Sequence, residues 1–163
     1  MDHYAIRMKP LVPFRMSPGL CGPAALKILL SYYKREHSEE ELTHLCEATP
    51  DADTSHGQIV TGLKALGGNP VTKDGAMTDD MRRMVEDQHP VLVGWQLAGK
   101  NHYSVVYEVS KTRIFMMDPI TESGIRIMSI EEFEKLWLDT DPATKQPVRG
   151  WMLTLPNWVA KDS

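Results

Sequence analysis

Apolar residues crowd nearly every face of the stretch after Pro23, AALKILLSYYKR, and this spacing predicts a helix buried on most sides and central to the fold. Pro23 suits the first helical position. Ser38 with Glu41 forms a capping box opening EEELTHLCEA, and Ser55 with Gln58 forms another opening GQIVTGLKAL, which Gly67-Gly68 stops. A further short helix, DDMRRMVEDQ, is expected after Thr78, with Asp79 and Asp80 in the first turn, where the helix dipole favours acids.

Beyond that point the pattern changes. PVLVGWQL, HYSVVYEV, TRIFMMD, GIRIMS and RGWMLTL are short β-branched or alternating runs separated by turn residues, as in an antiparallel sheet. One helix interrupts them: Ser129 and Glu132 cap EEFEKLW. Helices first and strands afterwards predict an α+β fold in a single domain over residues 1–163. Residues 48–57 and 139–148 read as surface loops, and the tail AKDS as frayed.

The length is enough to bury a core without disulfides or a structural metal. Eighteen Lys and Arg against 22 Asp and Glu leave a net charge of −4, which removes the basic footprint of a nucleic-acid or anionic-membrane binder. The N-terminus lacks the apolar core of a signal peptide and no apolar run is long enough to cross a bilayer, so a cytoplasmic protein without membrane insertion is expected. Cys21 and Cys46 are the only cysteines; both are expected to be free thiols, and neither lies in a CxxC pair.

Cys21 stands just before Gly22-Pro23, at or near a helix N-terminus, where unpaired N–H groups and the dipole favour thiolate over thiol. On position alone, a small apolar core residue is the simpler reading. A nucleophile needs a base, and the base an orienting acceptor. His102 opens one strand and Asp118 ends the next; if the two strands pair as a hairpin around Ser110-Lys111-Thr112-Arg113, the pair are neighbours. A carboxylate so placed holds an imidazole in the tautomer that accepts a proton from a thiol. His3, His37, His44, His56 and His89 show no metal-ligand spacing and read as surface or structural, Cys46 as buried, and Met81, Met84, Met116 and Met117 as core. Trp95, Trp137, Trp151 and Trp158 read as core cover.

CGPAALKILLSYY, GQIVTGLKALGG, HPVLVGW, NHYSVVYEV, MMDPI and SIEEFEKLW occur in the order seen in the bacteriocin-processing cysteine peptidases that cleave after a double glycine, and the chain resembles that family from about residue 14 to residue 155. The resemblance implies a papain-like fold, with an N-terminal helical half packed on a C-terminal antiparallel sheet. It implies Cys21 as nucleophile, His102 as general base and acid, Asp118 as the residue orienting His102, and a peptide or protein substrate; no cofactor is expected, and the absence of metal-ligand spacing gives no sign of a metal. It also implies an oxyanion-binding Gln about six residues before the cysteine, where this chain has Arg15, a possible charged replacement. Relatives are commonly fused to a membrane exporter; this chain reads as a stand-alone member. Two other readings share the residues: a non-catalytic peptide-binding module of the same fold, and a transglutaminase-like or amidase-like acyl transferase.

Overall fold

Helix α1 (Cys21–Tyr32) buries Ala24, Ala25, Leu26, Ile28, Leu29, Leu30 and Tyr32, and only Cys21, Lys27 and Ser31 are partly open, as its all-round apolar pattern requires. The computed structural model describes residues 11–159; His3 and the tail 160–163 lie outside the described residues. Cys21 is the first residue of α1 and Pro23 the third, so the helix opens two residues earlier than Pro23 suggested. Proline is tolerated there because N–H groups of the first turn have no partner within the helix.

Around α1 lie α2 (Glu39–Leu45) and α3 (His56–Ala65). The Ser38 side chain accepts from the Glu41 N–H, and Ser55 and Gln58 complete a reciprocal capping box. The chain continues through β1 (Val71–Lys73) and α4 (Thr78–Glu86) to β2 (Val91–Leu97), β3 (Lys100–Val109), β4 (Arg113–Met117) and β5 (Ile125–Ser129). It ends with α5 (Ile130–Leu136), capped by Ser129, then β6 (Leu138–Thr140), β7 (Pro147–Arg149) and β8 (Met152–Thr154). Six strands form one antiparallel sheet in the order β1-β8-β2-β3-β4-β5, and α1 packs against β3 and β2. Its helix order and antiparallel sheet make this the papain-like α+β arrangement.

Two elements differ from expectation. Residues 139–148, expected as a loop, begin and end in the paired strands β6 and β7. Asp141 N–H donates to the Gln146 carbonyl and Lys145 N–H to the Asp141 carbonyl, closing a turn that composition alone leaves open. Strand β1 has three exposed residues and no alternation to betray it; it exists because β8 offers a free edge.

The segment before α1 is held at its middle from two directions. Met16 N–H donates to the Pro119 carbonyl, and Ser17 reaches Glu39 through its N–H and its hydroxyl. Gly19 sits at φ 79° against the Pro50 carbonyl, where a side chain would be strained and would collide. Gly94, in the middle of β2, leaves room for the Asp139 carboxylate and the His56 ring. Gly94→Ala is therefore expected to cost about 2 kcal/mol through overpacking, measured as a lower urea midpoint at unchanged slope. A midpoint within error of the native protein would show that the Asp139 side chain yields freely.

Candidate active site

The β3–β4 pairing decides the geometry of the site. Val105 pairs with Met117, and an extra residue at Tyr107 shifts the register farther along the hairpin. One step beyond Val105 and Met117 brings Ser104 across from Asp118. His102 lies two residues before Ser104 and so shares its face, while Trp95 on β2 pairs with His102.

Asp118 is fully buried and its two oxygens take hydrogen bonds from four groups. His102 Nε2 lies 2.9 Å from Oδ1 and 3.0 Å from Oδ2; the Ser104 hydroxyl donates to Oδ2 at 2.8 Å, the Ile120 N–H to Oδ1 at 2.8 Å, and Arg126 Nε to Oδ2 at 3.0 Å. Burial pushes the Asp118 carboxyl up, but the His102 hydrogen bond and charge, with the Ile120 N–H and the Ser104 hydroxyl, outweigh it and hold the group at about 2. An ionised carboxylate only accepts, so Nε2 carries the hydrogen and Nδ1 keeps its lone pair. Among the described residues no hydrogen bond occupies Nδ1.

Behind this pair the contacts continue. Trp95 Nε1 donates to the Ser104 hydroxyl at 3.0 Å, and the Trp95 ring meets the His102 ring edge to face at 5.7 Å. The Arg126 guanidinium lies 5.7 Å from the Trp95 ring centre.

Cys21 faces the same strand. The helix it opens packs on β3, and the main-chain N–H of Tyr103, the residue after His102, is near enough to favour the thiolate. Burial nevertheless pushes the Cys21 thiol up to about 11; the Tyr103 N–H and its own N–H act against this, and the charges of Asp53 and Asp118 reinforce it. This corrects the sequence-based expectation of a thiol made acidic by its helix terminus. Cys21 stands in the first turn, where the dipole acts, but loss of water around the sulfur outweighs that pull. A thiol raised in this way is a weak nucleophile at neutral pH unless a base takes its proton.

Arg15 is exposed, and among the described residues no hydrogen bond engages its side chain. The N–H groups of Cys21 and Gly22, in the first turn of α1, have no helical partner to satisfy them, whereas Ala24 N–H already bonds the Leu20 carbonyl. Next to Asp53, which accepts from Asn101 at 3.1 Å, Thr54 packs on Gly22 and takes the Tyr103 hydroxyl on its carbonyl at 2.8 Å.

Three of the other histidines have structural partners. His56 Nε2 lies 2.7 Å from Asp139 and its ring stacks on Trp151 at 4.1 Å; His37 meets Glu41, and His89 the Tyr33 hydroxyl. His44 is exposed. Cys46, Met81, Met116, Met117, Trp95, Trp137 and Trp151 are buried in the core, with Met84 and Trp158 packed partly open against it. Among the described residues no group of three or more His, Cys, Asp or Glu could hold a metal ion, and no helix is long and apolar enough to cross a membrane. No sequence motif points to Ser104, Ile120 or Arg126. Ser104, two residues after His102, was within reach of a strand-periodicity argument; the Arg126 contact depends on where β5 folds back.

A cysteine opening a central helix, packed on an antiparallel sheet that carries a histidine hydrogen-bonded to an aspartate, is the architecture of papain-like cysteine peptidases. The chain belongs to the Peptidase C39 family, whose model matches residues 15–140. It is 32% identical over 120 residues to the pediocin PA-1 transport/processing ATP-binding protein PedD of Pediococcus acidilactici, an alignment covering 72% of this chain and 16% of that protein. The chain thus spans about a sixth of the length of that curated relative. Three solved structures share the fold. A C39-like peptidase from Bacillus anthracis matches with a TM-score of 0.71 at 13% identity, covering 94% of this chain and 96% of that one. The peptidase domain of Streptococcus ComA, a bi-functional ABC transporter involved in quorum sensing, matches at 0.65 and 21% identity over 88% and 94%. A double glycine motif protease from an AMS/PCAT transporter, in complex with the leader peptide, matches at 0.65 and 18% identity over 88% of each chain.

Proposed function

We propose that this C39 peptidase hydrolyses a peptide bond through a thioester on Cys21, with His102 as general base and acid and Asp118 orienting His102. The observation that carries the reading is the bond from His102 Nε2 to the buried Asp118 carboxylate, which leaves the Nδ1 lone pair to take a proton from a thiol held beside the same strand. The Cys21 proton passes to Nδ1 as sulfur attacks the carbonyl carbon. The resulting oxyanion takes hydrogen bonds from the N–H groups at the start of α1, with Arg15 as a further, charged donor in place of an amide. His102 then gives its proton to the leaving amine, and water, activated by His102, hydrolyses the thioester to release acid and restore the thiol.

The proposed substrate is a peptide or protein, and a leader ending in two glycines is the first to test, because a double glycine motif protease with its leader peptide shares this fold. Such peptides are incubated with the protein and products read by mass spectrometry. Cleavage is expected together with an acyl-enzyme on Cys21, none with Cys21→Ala, and a reduced rate with Arg15→Ala. Binding without cleavage would favour the peptide-binding module, for which the upward push of burial on the Cys21 thiol and the exposed Arg15 are the supporting points. Amine incorporation in place of hydrolysis would favour the acyl transferase.

A further inference from the structure

We propose that Arg126 is a positioning residue of this site: its guanidinium fixes the Asp118 carboxylate that holds His102 and balances that carboxylate's buried charge. The inference rests on the Cys21 and His102 reading above.

Strand β5 keeps the usual alternation of faces but inverts its chemistry, with Arg126 on the inward face beside buried Met128. Ile125 and Ile127 are 47% and 50% exposed, whereas Arg126 between them is only 27% exposed and turns toward Asp118. Placing two isoleucines in water while drawing a cation to a buried carboxylate runs against hydrophobic burial, and such local violations collect at functional positions. The ion pair is also unlike a surface one. Its carboxylate has no solvent exposure and shares Oδ2 among Arg126, Ser104 and His102, two of which, His102 and Ser104, also touch Trp95.

The charge matters to the proton cycle. Asp118 alone would hold a protonated His102 strongly, and the proton must later be surrendered to the leaving amine. With Arg126 on the same oxygen, the carboxylate still orients the ring but attracts the imidazolium less. The charged groups reaching Cys21 and His102 are Asp118 from the end of β4, Arg126 from β5 through Asp118, and Asp53 from the loop before α3.

The test needs no peptide substrate. The rate of Cys21 alkylation by iodoacetamide is followed against pH in the folded protein, with modification at Cys21 read by peptide mass spectrometry. Removing a positive charge raises every proton affinity within its reach. Arg126→Gln is therefore expected to move the acid limb of the profile up by about half a pH unit or more, and Arg126→Lys, which keeps the charge, to bring it back toward the native position. A merely structural role would lower the thermal midpoint and leave the limb in place, and that result overturns the inference. If His102→Ala leaves the native profile unchanged, the pairing of Cys21 with His102 fails and the inference with it. A profile that depends on His102 but does not move in Arg126→Gln overturns the role of Arg126 alone.

Discussion

His102→Ala is expected to lower kcat/KM for a cleavable peptide at pH 7 by about a thousandfold or more, with the fold retained. The Cys21 thiol, pushed up to about 11, ionises by itself in only roughly one molecule in ten thousand at pH 7. General-base transfer to His102 is what bypasses that shortage, and such transfer contributes about 10²–10⁴ in rate. Asp118 keeps Ser104, Ile120 and Arg126 as donors when the imidazole is gone, so the variant is expected to remain folded. Its residual rate should climb about tenfold per pH unit between pH 7 and 10, following the thiolate. Progress curves across that range, with added imidazole as a rescue, provide the measurement. A variant keeping more than a tenth of the native rate at pH 7 would remove proton transfer from the role of His102.

Asp118→Asn has the second largest expected effect, on both activity and stability. The amide presents N–H donors where Arg126, Ser104 and His102 all donate, so at least one of these is left unpaired in a buried place. A facing amide N–H would also favour the tautomer with its hydrogen on Nδ1, which cannot accept the thiol proton. Loss of about 10²–10⁴ in kcat is expected. The stability cost at pH 7 is about 3 kcal/mol, the scale for breaking a buried pair, tempered by the partial exposure of Arg126.

The acid dependence carries a definite sign. Asp118 falls from its ordinary value near 3.8 to about 2 in the fold, so the native state is the weaker proton binder. Its contribution, on the order of 2 kcal/mol, is fully present above about pH 4 and is lost as pH falls toward 2. Urea unfolding at pH 7, 4 and 2.5 should show this loss in the native protein and its absence in Asp118→Asn. Parallel acid curves for the two proteins would contradict it.

The helices were legible because their causes are local. The apolar residues of α1 lie on all its faces, and Ser38, Ser55 and Ser129 each accept from the N–H three residues on, as capping spacing dictates. The hairpin around Ser110 to Arg113 was legible for a related reason: two apolar runs with a short polar turn have few ways to pair, and that pairing brings His102 to Asp118. The paired ends of residues 139–148 were not legible, because the contacts that hold them are remote in sequence: Thr140 is fixed by Asn101 and Asp139 by His56. Arg126 was not legible either. Between two isoleucines it reads as the solvent side of an alternating strand, and only the position of β5 beside β4 reverses that.

By itself the sequence determined the helical half, the strand-rich half, and where along them a thiol, an imidazole and a carboxylate stand, since these follow from spacing within a few residues. Tertiary structure alone decided how those groups behave. Burial raised the proton affinity of Cys21 against the pull of its helix terminus, and strand register gathered Ser104, Ile120 and Arg126 on one buried carboxylate. Desolvation and charge pairing depend on neighbours brought from distant segments, so they come into being only when the chain has folded.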